Sequence, residues 1–194
     1  MNFAFLRPAA LVAAGAVLSL LAGCAQLQLG APVASIDNIQ KARASGIAAV
    51  AVGNFALADG KPPGLDQSVS ARSNSIFSPY RSSFALYLKE NLSADLLAAG
   101  LLEPKSSIVV EGRLTDSQLD AGVGQARGTV AARFTVTRAG VRAYDKELRA
   151  SASWDSPFVG VAAVPAAVNE YALLYRKLVA ELLDDAAFRN AARK

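Results

Sequence analysis

Residues 129–154 read TVAARFTVTRAGVRAYDKELRASASW, and this stretch decides the fold. From Thr129 to Thr137, apolar residues alternate with threonine and arginine, which is typical of a strand with one buried face. Ala139-Gly140 is a two-residue joint of the kind that closes a tight hairpin. Val141 to Trp154 is the return strand. We therefore predict an antiparallel hairpin whose apolar face needs a second layer to cover it.

Other strand-like and helical segments surround this hairpin. Strands are predicted over Ile47–Leu57 and Ser107–Leu114, and a glycine-rich connection over 122–128 leads into the hairpin. Apolar residues at spacings of three and four predict one helix from Ser78 to Gly100 and another from about Val164 to Leu183. Each helix has one apolar stripe, which indicates that it packs against the sheet.

The first of these helices carries ordinary start and stop signals. Ser78 is the expected cap, Pro79 the first helical residue, and Gly100 the residue that ends the helix. Taken in chain order, the elements predict an α+β fold: a mostly antiparallel sheet of about four strands with two main helices packed on one face, in the order β-α-β-β-β-α.

The composition excludes several kinds of chemistry. The chain has 194 residues, with one cysteine and no histidine. A zinc site built on histidine and cysteine is excluded, and so are Ser-His-Asp and Cys-His nucleophiles. The formal net charge is only +4 and the basic residues are scattered, whereas a nucleic-acid binder shows a clustered basic patch. We therefore expect no enzymatic activity, no metal, no cofactor and no nucleic-acid partner.

The N-terminal segment has the features of an export signal. A short basic start is followed by an uninterrupted run of apolar and small residues over Ala9–Ala22. Fourteen helical residues rise only about 21 Å, too short for a hydrocarbon core of about 30 Å, so a secretory signal is favoured over a membrane span. The residues that follow, Leu21-Ala22-Gly23-Cys24, resemble the lipobox of bacterial lipoproteins.

This resemblance implies a defined maturation of the chain. A diacylglyceryl group would be transferred to the Cys24 sulfur, cleavage would follow Gly23, and the new amino terminus would be acylated. Two or more acyl chains give stable membrane anchoring where one chain does not. Residues 25 and 26 are Ala and Gln, so the aspartate that commonly retains such proteins in the inner membrane is absent. The resemblance therefore implies the outer membrane, with the body of the protein facing the periplasm.

These observations predict three regions. Residues 1–23 are a cleaved lipoprotein signal peptide, 24–36 a lipidated tether, and 37–194 a single periplasmic α+β domain. The tether is predicted because residues 25–35 carry no charge and Gly30 and Pro32 interrupt any regular pattern. Within the domain, residues 58–77 form a long irregular segment with a short edge strand near Val69. Such a segment is either a surface loop or a partner-binding loop, and in the second case Arg72 is the first residue to test.

The chain also resembles a group of small proteobacterial envelope lipoproteins, the YajG-like lipoproteins. The resemblance rests on residues 128–140, on Tyr144-Asp145-Lys146, on Trp154 and on the helix over Tyr171–Leu183, which together cover about the last half of the chain. It implies a small sheet with packed helices and offers no catalytic residues. Our leading hypothesis is a non-enzymatic, lipid-anchored outer-membrane protein that acts through an envelope protein partner as an assembly or accessory factor. The alternative is a binding module for a lipid, glycan or peptide.

Overall fold

The structure, a computed structural model, describes residues 26–194, so Gly23 and Cys24 lie outside the described residues. It contains seven strands and five helices in the described range. They are β1 (Gln26–Gln28), α1 (Ile36–Ala44), β2 (Ala51–Leu57), α2 (Gly64–Gln67), β3 (Val69–Ala71), β4 (Asn74–Phe77), α3 (Phe84–Ala99), β5 (Ile108–Asp120), β6 (Gly124–Arg138), β7 (Val141–Ser156), α4 (Gly160–Asp184) and α5 (Ala186–Ala191).

The main sheet has the order β2-β5-β6-β7 and confirms the predicted α+β class. β5, β6 and β7 are antiparallel neighbours, whereas β2 runs parallel to β5. The predicted hairpin closes at Ala139 and Gly140, which have φ of 48° and 83°. Two consecutive positive φ values are the geometry of the two-residue turn that matches the twist of paired strands. The three antiparallel strands are 13, 15 and 16 residues long. β5 ends six residues and β7 two residues beyond the predicted end, and β6 begins five residues before its predicted start.

A second, smaller sheet lies where we predicted a tether and an irregular segment. Its order is β1-β4-β3, with Gln26 opposite Ser75 in a parallel ladder and Val69 opposite Ile76 in an antiparallel one. Leu29 follows β1 and is buried. From Gln26 onward, therefore, the residues that we expected to form a tether are built into the domain. The backbone N–H and C=O groups of β4 explain this, because they pair with a strand on either side.

Two helices cover one face of the main sheet, as predicted, but their starts differ from the prediction. α3 begins at Phe84 rather than near Ser78, because Arg81 and Ser82 have positive φ values of 51° and 56° and cannot be helical. Ser83 is the cap, and its hydroxyl accepts a hydrogen bond from the Leu86 N–H. Gly100 ends the helix with φ of 76°, as expected.

The space between these helices and the sheet is filled with side chains. α4 contributes an aromatic cluster in which Tyr171 and Tyr175 pack edge-on against each other and against Phe84 or Tyr87 of α3. Backbone approaches are close: a Cβ at Gly128 of β6 would lie 2.6 Å from Leu174 Cδ1. Such contacts leave the side-chain layer no room to admit a large ligand.

Candidate functional site

The N-terminal end of the described chain lies beside three loops. Gln26 pairs with Ser75, close to the turn that joins β3 to β4 at Arg72 and Ser73. The β5–β6 turn over 121–123 and the β7–α4 segment over 157–159 lie at the same end, because Gly124 of β6 is opposite Ser156 of β7. We call this end of the molecule the proximal end. The hairpin turn at 139–140 marks the distal end.

Arg72 holds the loops of the proximal end together. Its guanidinium donates to the Phe158 carbonyl at 2.6 Å, to the Pro157 carbonyl, and to the Ser156 hydroxyl at 3.4 Å. Nε donates to the Ala121 carbonyl at 3.4 Å. All four acceptors belong to this chain, so the side chain that we singled out for partner binding makes internal contacts. Its backbone has φ of 56°, which places it in the turn of the β3–β4 hairpin.

The face of the main sheet that the helices leave uncovered is charged. Arg133 Nε donates to Asp145 Oδ1 at 2.5 Å, and Arg142 donates to the other carboxylate oxygen at 3.0 Å. The hydrogen bond from Arg133 lowers the pKa of Asp145 below its ordinary value, with Arg142 adding to the effect and slight desolvation opposing it. A depression of about 240 Å³ lies here, and Glu111 and Arg113 also line it.

The edge of the main sheet adjoins this charged face. Among the strands that the structure describes, β7 is one of the two edge strands of the main sheet, the other being the seven-residue β2, and it has a hydrogen-bonded strand neighbour on one side only. It is 16 residues long, and much of its length is exposed or half-buried. The charged side chains Asp145, Lys146, Glu147 and Arg149 follow one another along it. Charges on an edge strand discourage indiscriminate pairing with other chains, while leaving the backbone groups available to a complementary strand.

Two clusters of hydrogen-bonded polar side chains lie in the interior of the domain and do not form a surface site. Ser117 of β5 and Tyr171 share a hydrogen bond of 2.5 Å, and Tyr171 and Tyr175 share one of 3.0 Å. Burial raises the pKa of both tyrosines, so both hydroxyls stay neutral and can act as donors. Asp95 of α3 accepts from Asn38 Nδ2 and from the Ser35 N–H, each at 2.7 Å.

The hydrogen bonds of Asp95 tie α1 to α3. Burial raises the pKa of its carboxyl, and the bond from Asn38 partly opposes that rise. Every polar partner of Asp95 is internal, so this carboxylate has a structural role. Within residues 26–194, no group of three or more metal-ligating side chains comes together. No helix over the same residues combines the length and hydropathy that crossing a membrane requires.

No protein-family model matches the chain, and no curated protein sequence matches it. The chain is similar to the crystal structure of protein XCC0632 from Xanthomonas campestris, of family DUF330. That comparison has a TM-score of 0.54 and 11% sequence identity, and covers 86% of this chain and 96% of the other. The two proteins share a fold. This likeness fits the order of strands and helices described above and does not extend to activity.

Two further structures give weaker likenesses. A candidate lipoprotein from Caulobacter crescentus has a TM-score of 0.45 and 15% identity, and covers 80% of this chain and 97% of the other. A minor lipoprotein from Acinetobacter baumannii has a TM-score of 0.38 and 15% identity, and covers 74% of this chain and 90% of the other.

The free edge of β7 and the exposed apolar residues of the proximal end were not identified from the sequence. The free edge of β7 depends on which strands pair, and the chain gives no local sign of that. The proximal end, by contrast, has a visible signal: Phe158, Val159 and Val161 are large apolar residues at the junction of β7 and α4, where polar ones are usual.

Proposed function

We propose that this chain is a lipoprotein acylated at Cys24, anchored in the outer membrane and facing the periplasm. In this proposal it is not an enzyme; it acts as an envelope assembly or accessory factor by contacting another protein. The observation that carries the proposal is the position of the lipobox cysteine, which only Ala25 separates from the first strand of the domain. Lipid and domain are thus joined directly, as a fixed scaffold on a membrane would be.

The composition supports a contact function. The sequence has no histidine, and acylation would consume its one thiol. Charged residues of the open face form ion pairs with one another, as in the Arg133–Asp145–Arg142 group, and in that group no nucleophile is paired with a base. Paired charges on an exposed sheet face are suited to orienting a protein partner and contribute little to stability.

The surface that fits a partner best is the free edge of β7 with the adjoining open face. An extended segment of another protein can add to such an edge through backbone hydrogen bonds, while flanking charges select the register. Of the alternative ligand classes, a peptide suits this geometry. A lipid or glycan is less well served, because the layer between helices and sheet is filled and the depression beside Arg133 and Asp145 has a volume of only about 240 Å³.

Anchoring is tested by Cys24→Ala in cells that express the full chain. We expect this variant to accumulate as unprocessed precursor, as should the wild type treated with globomycin. Mass spectrometry of the N-terminal peptide from the wild type should show cleavage after Gly23 and acyl chains on Cys24. If the Cys24→Ala chain is still cleaved there and is still membrane-bound, the anchor is wrong.

The contact surface is tested by a photo-crosslinking amino acid placed at Ser153, an exposed residue of β7. Lys61 is the matched control, because it is exposed and follows β2, the strand at the opposite side of the sheet. The strands β7 and β2 are themselves separated by three strand spacings, about 14 Å. We expect a discrete crosslinked envelope protein at Ser153 and none at Lys61. Equal, diffuse crosslinking at both positions would contradict the assignment.

A further inference from the structure

The proximal end exposes large apolar side chains. Of the large apolar side chains that the structure describes, the two most exposed are Val161 and Phe158, at 83% and 81%. Val159 lies between them, and Val123 of the β5–β6 turn is also more than half exposed. We call these four residues the apolar rim. Single exposed apolar residues are common, but four on two adjoining loops and the first turn of α4 form a patch, and such patches mark contact surfaces.

The apolar rim lies next to the start of the domain. Leu27 of β1 and Val161 line the same depression, together with Arg72 and Asn74 of the β3–β4 turn. Arg72 also fixes the loop, since it donates to the carbonyls of Pro157 and Phe158. Arg72, which lies beside β1, therefore holds the loop of the apolar rim in place.

Covalent geometry then limits how far the lipid can be from the apolar rim. Only Ala25 separates Cys24 from Gln26, and two residues of fully extended chain span at most about 7 Å. An acylated Cys24 would bring the membrane surface to the proximal end. The charged residues on the strand ends there, Asp120, Arg127 and Asp155, include both signs, so electrostatic attraction to lipid is weak.

We propose that the apolar rim inserts into the lipid surface that holds the acyl chains of Cys24. The domain then contacts the membrane both through the acyl chains and through the apolar rim. The inference rests on the acylation proposed above. Phe158 and Val161 enter the boundary between headgroups and acyl chains, as the apolar face of an interfacial segment does. Arg72 keeps the loop in the conformation that points these side chains outward, and its guanidinium is occupied by carbonyl groups of this chain.

The test uses the fact that Cys24 is the only cysteine of the chain. Acylated Cys24 cannot react with a thiol reagent, so Val161→Cys provides a single labelling position on the full-length acylated protein. Val141→Cys is the matched control, because Val141 is 70% exposed and lies at the distal end. Both variants are labelled with the fluorophore NBD and reconstituted in vesicles of phosphatidylethanolamine and phosphatidylglycerol that carry nitroxides on the acyl chains.

We expect the nitroxides to reduce the emission at position 161 roughly twofold, because a group about 5–10 Å below the headgroups lies within reach of the acyl chains. Emission at position 141 should not change, and high salt should leave both results unaltered. Equal emission at the two positions would overturn the proposal. So would shielding of position 161 in native membranes but not in pure vesicles, which would assign the apolar rim to a protein partner.

Labelling of the wild type separates the two proposals. If Cys24 is acylated, the wild-type chain takes up no label, and failure of quenching at position 161 counts against membrane insertion alone. If the wild type is labelled at Cys24, it is the anchor that fails.

Discussion

Two roles can be considered for the Arg72 side chain, contact with a partner protein and an internal clamp between loops, and they predict different results when Arg72 is substituted. We expect Arg72→Ala to destabilise the proximal end, because the guanidinium donates to the carbonyls of Ala121, Pro157 and Phe158. A hydrogen bond from a charged donor contributes about 1.5–3 kcal/mol when buried, and partial exposure of Arg72 reduces this to about 2 kcal/mol for the whole group. For a domain of this size, that loss lowers Tm by about 4–8 °C.

The loss should be local as well as global. Hydrogen exchange over residues 156–161 should accelerate in Arg72→Ala, while exchange in the distal hairpin stays unchanged, because only the proximal loops lose donors. Thermal unfolding followed by circular dichroism gives the global effect on the same acylated protein in detergent. A Tm and an exchange pattern equal to those of the wild type, combined with loss of a crosslinked partner, would refute the clamp and restore the partner-binding role.

Two further variants at Arg72 separate side chain from backbone. Arg72→Lys keeps the charge but cannot donate to three carbonyls with one ammonium group, so we expect only partial recovery. Arg72→Gly loses the same contacts as Arg72→Ala but relieves the positive φ of 56°, so it should be the more stable of the two by about 1 kcal/mol.

Three other predictions concern the interior of the domain. Gly112→Ala should lower stability by about 1–3 kcal/mol, because its Cβ would lie 2.4 Å from Phe55 Cε1, and thermal unfolding measures this. Tyr171→Phe should cost about 1–3 kcal/mol in denaturant unfolding, since the buried hydroxyl of Ser117 loses its partner. Burial raises the pKa of Asp95, so its native carboxyl binds a proton at a higher pH than the unfolded one. As pH falls through that raised value toward 3.8, the wild type should therefore gain stability relative to Asp95→Asn, measured by unfolding at several pH values.

Each of these predictions has a simple control. Gly30→Ala should be close to neutral, because no atom lies within 4 Å of its Cβ position. A similar loss at Gly30 and Gly112 would show that steric overlap is not the cause. A Tyr171→Phe chain as stable as the wild type would mean that Ser117 finds another partner, and a pH-independent difference at Asp95 would mean that its pKa is not raised.

The sequence predicted the parts of the fold that local chemistry decides. The hairpin at Ala139-Gly140 follows from alternation on both sides and from a turn that needs positive φ, and all of this lies within one short stretch. The connection over 122–128 was predicted too long, because β6 already begins at Gly124 between β5 and β7. Gly128 is a strand residue there, and its missing side chain leaves room for Leu174.

Features that depend on distant partners could not be predicted. β1 is three residues long and has no alternation to detect; it is a strand only because β4 offers an open ladder. Ser78 looked like the cap of a helix, but its hydroxyl accepts from the Tyr80 N–H and stabilises a turn instead. The residue that caps α3 is Ser83, five residues later, whose hydroxyl accepts from the Leu86 N–H. The predicted cap therefore had the right residue type and the wrong position.

The candidate site was predictable to the extent that it follows from the chain's covalent order. The acylation of Cys24 stays a prediction from its motif, and the closeness of Cys24 to the domain follows from the sequence once β1 is known to begin at Gln26. Arg72 was proposed as a partner-binding residue because it lies in a predicted loop. In the structure its guanidinium donates to carbonyl groups of its own chain. The free edge of β7 is a property of strand order, which no stretch of sequence contains.

The two proposals together fix how the protein would stand on a membrane. β7 runs from Val141 at the distal end to Ser156 beside the apolar rim, and 16 residues at about 3.3 Å each extend about 50 Å. If the proximal end rests on lipid, the free edge of β7 rises away from the membrane and is presented to the periplasm along its length.

A partner strand that pairs with this edge would meet a scaffold whose orientation is already set, so less rotational freedom is lost on binding than for a domain on a flexible tether. Under these proposals, the short link between Cys24 and β1 would couple the anchor to the contact surface. Inserting a flexible Gly-Ser linker of about ten residues between Ala25 and Gln26 should leave acylation intact but weaken crosslinking at Ser153. Unchanged crosslinking would show that the partner does not depend on the orientation of the domain.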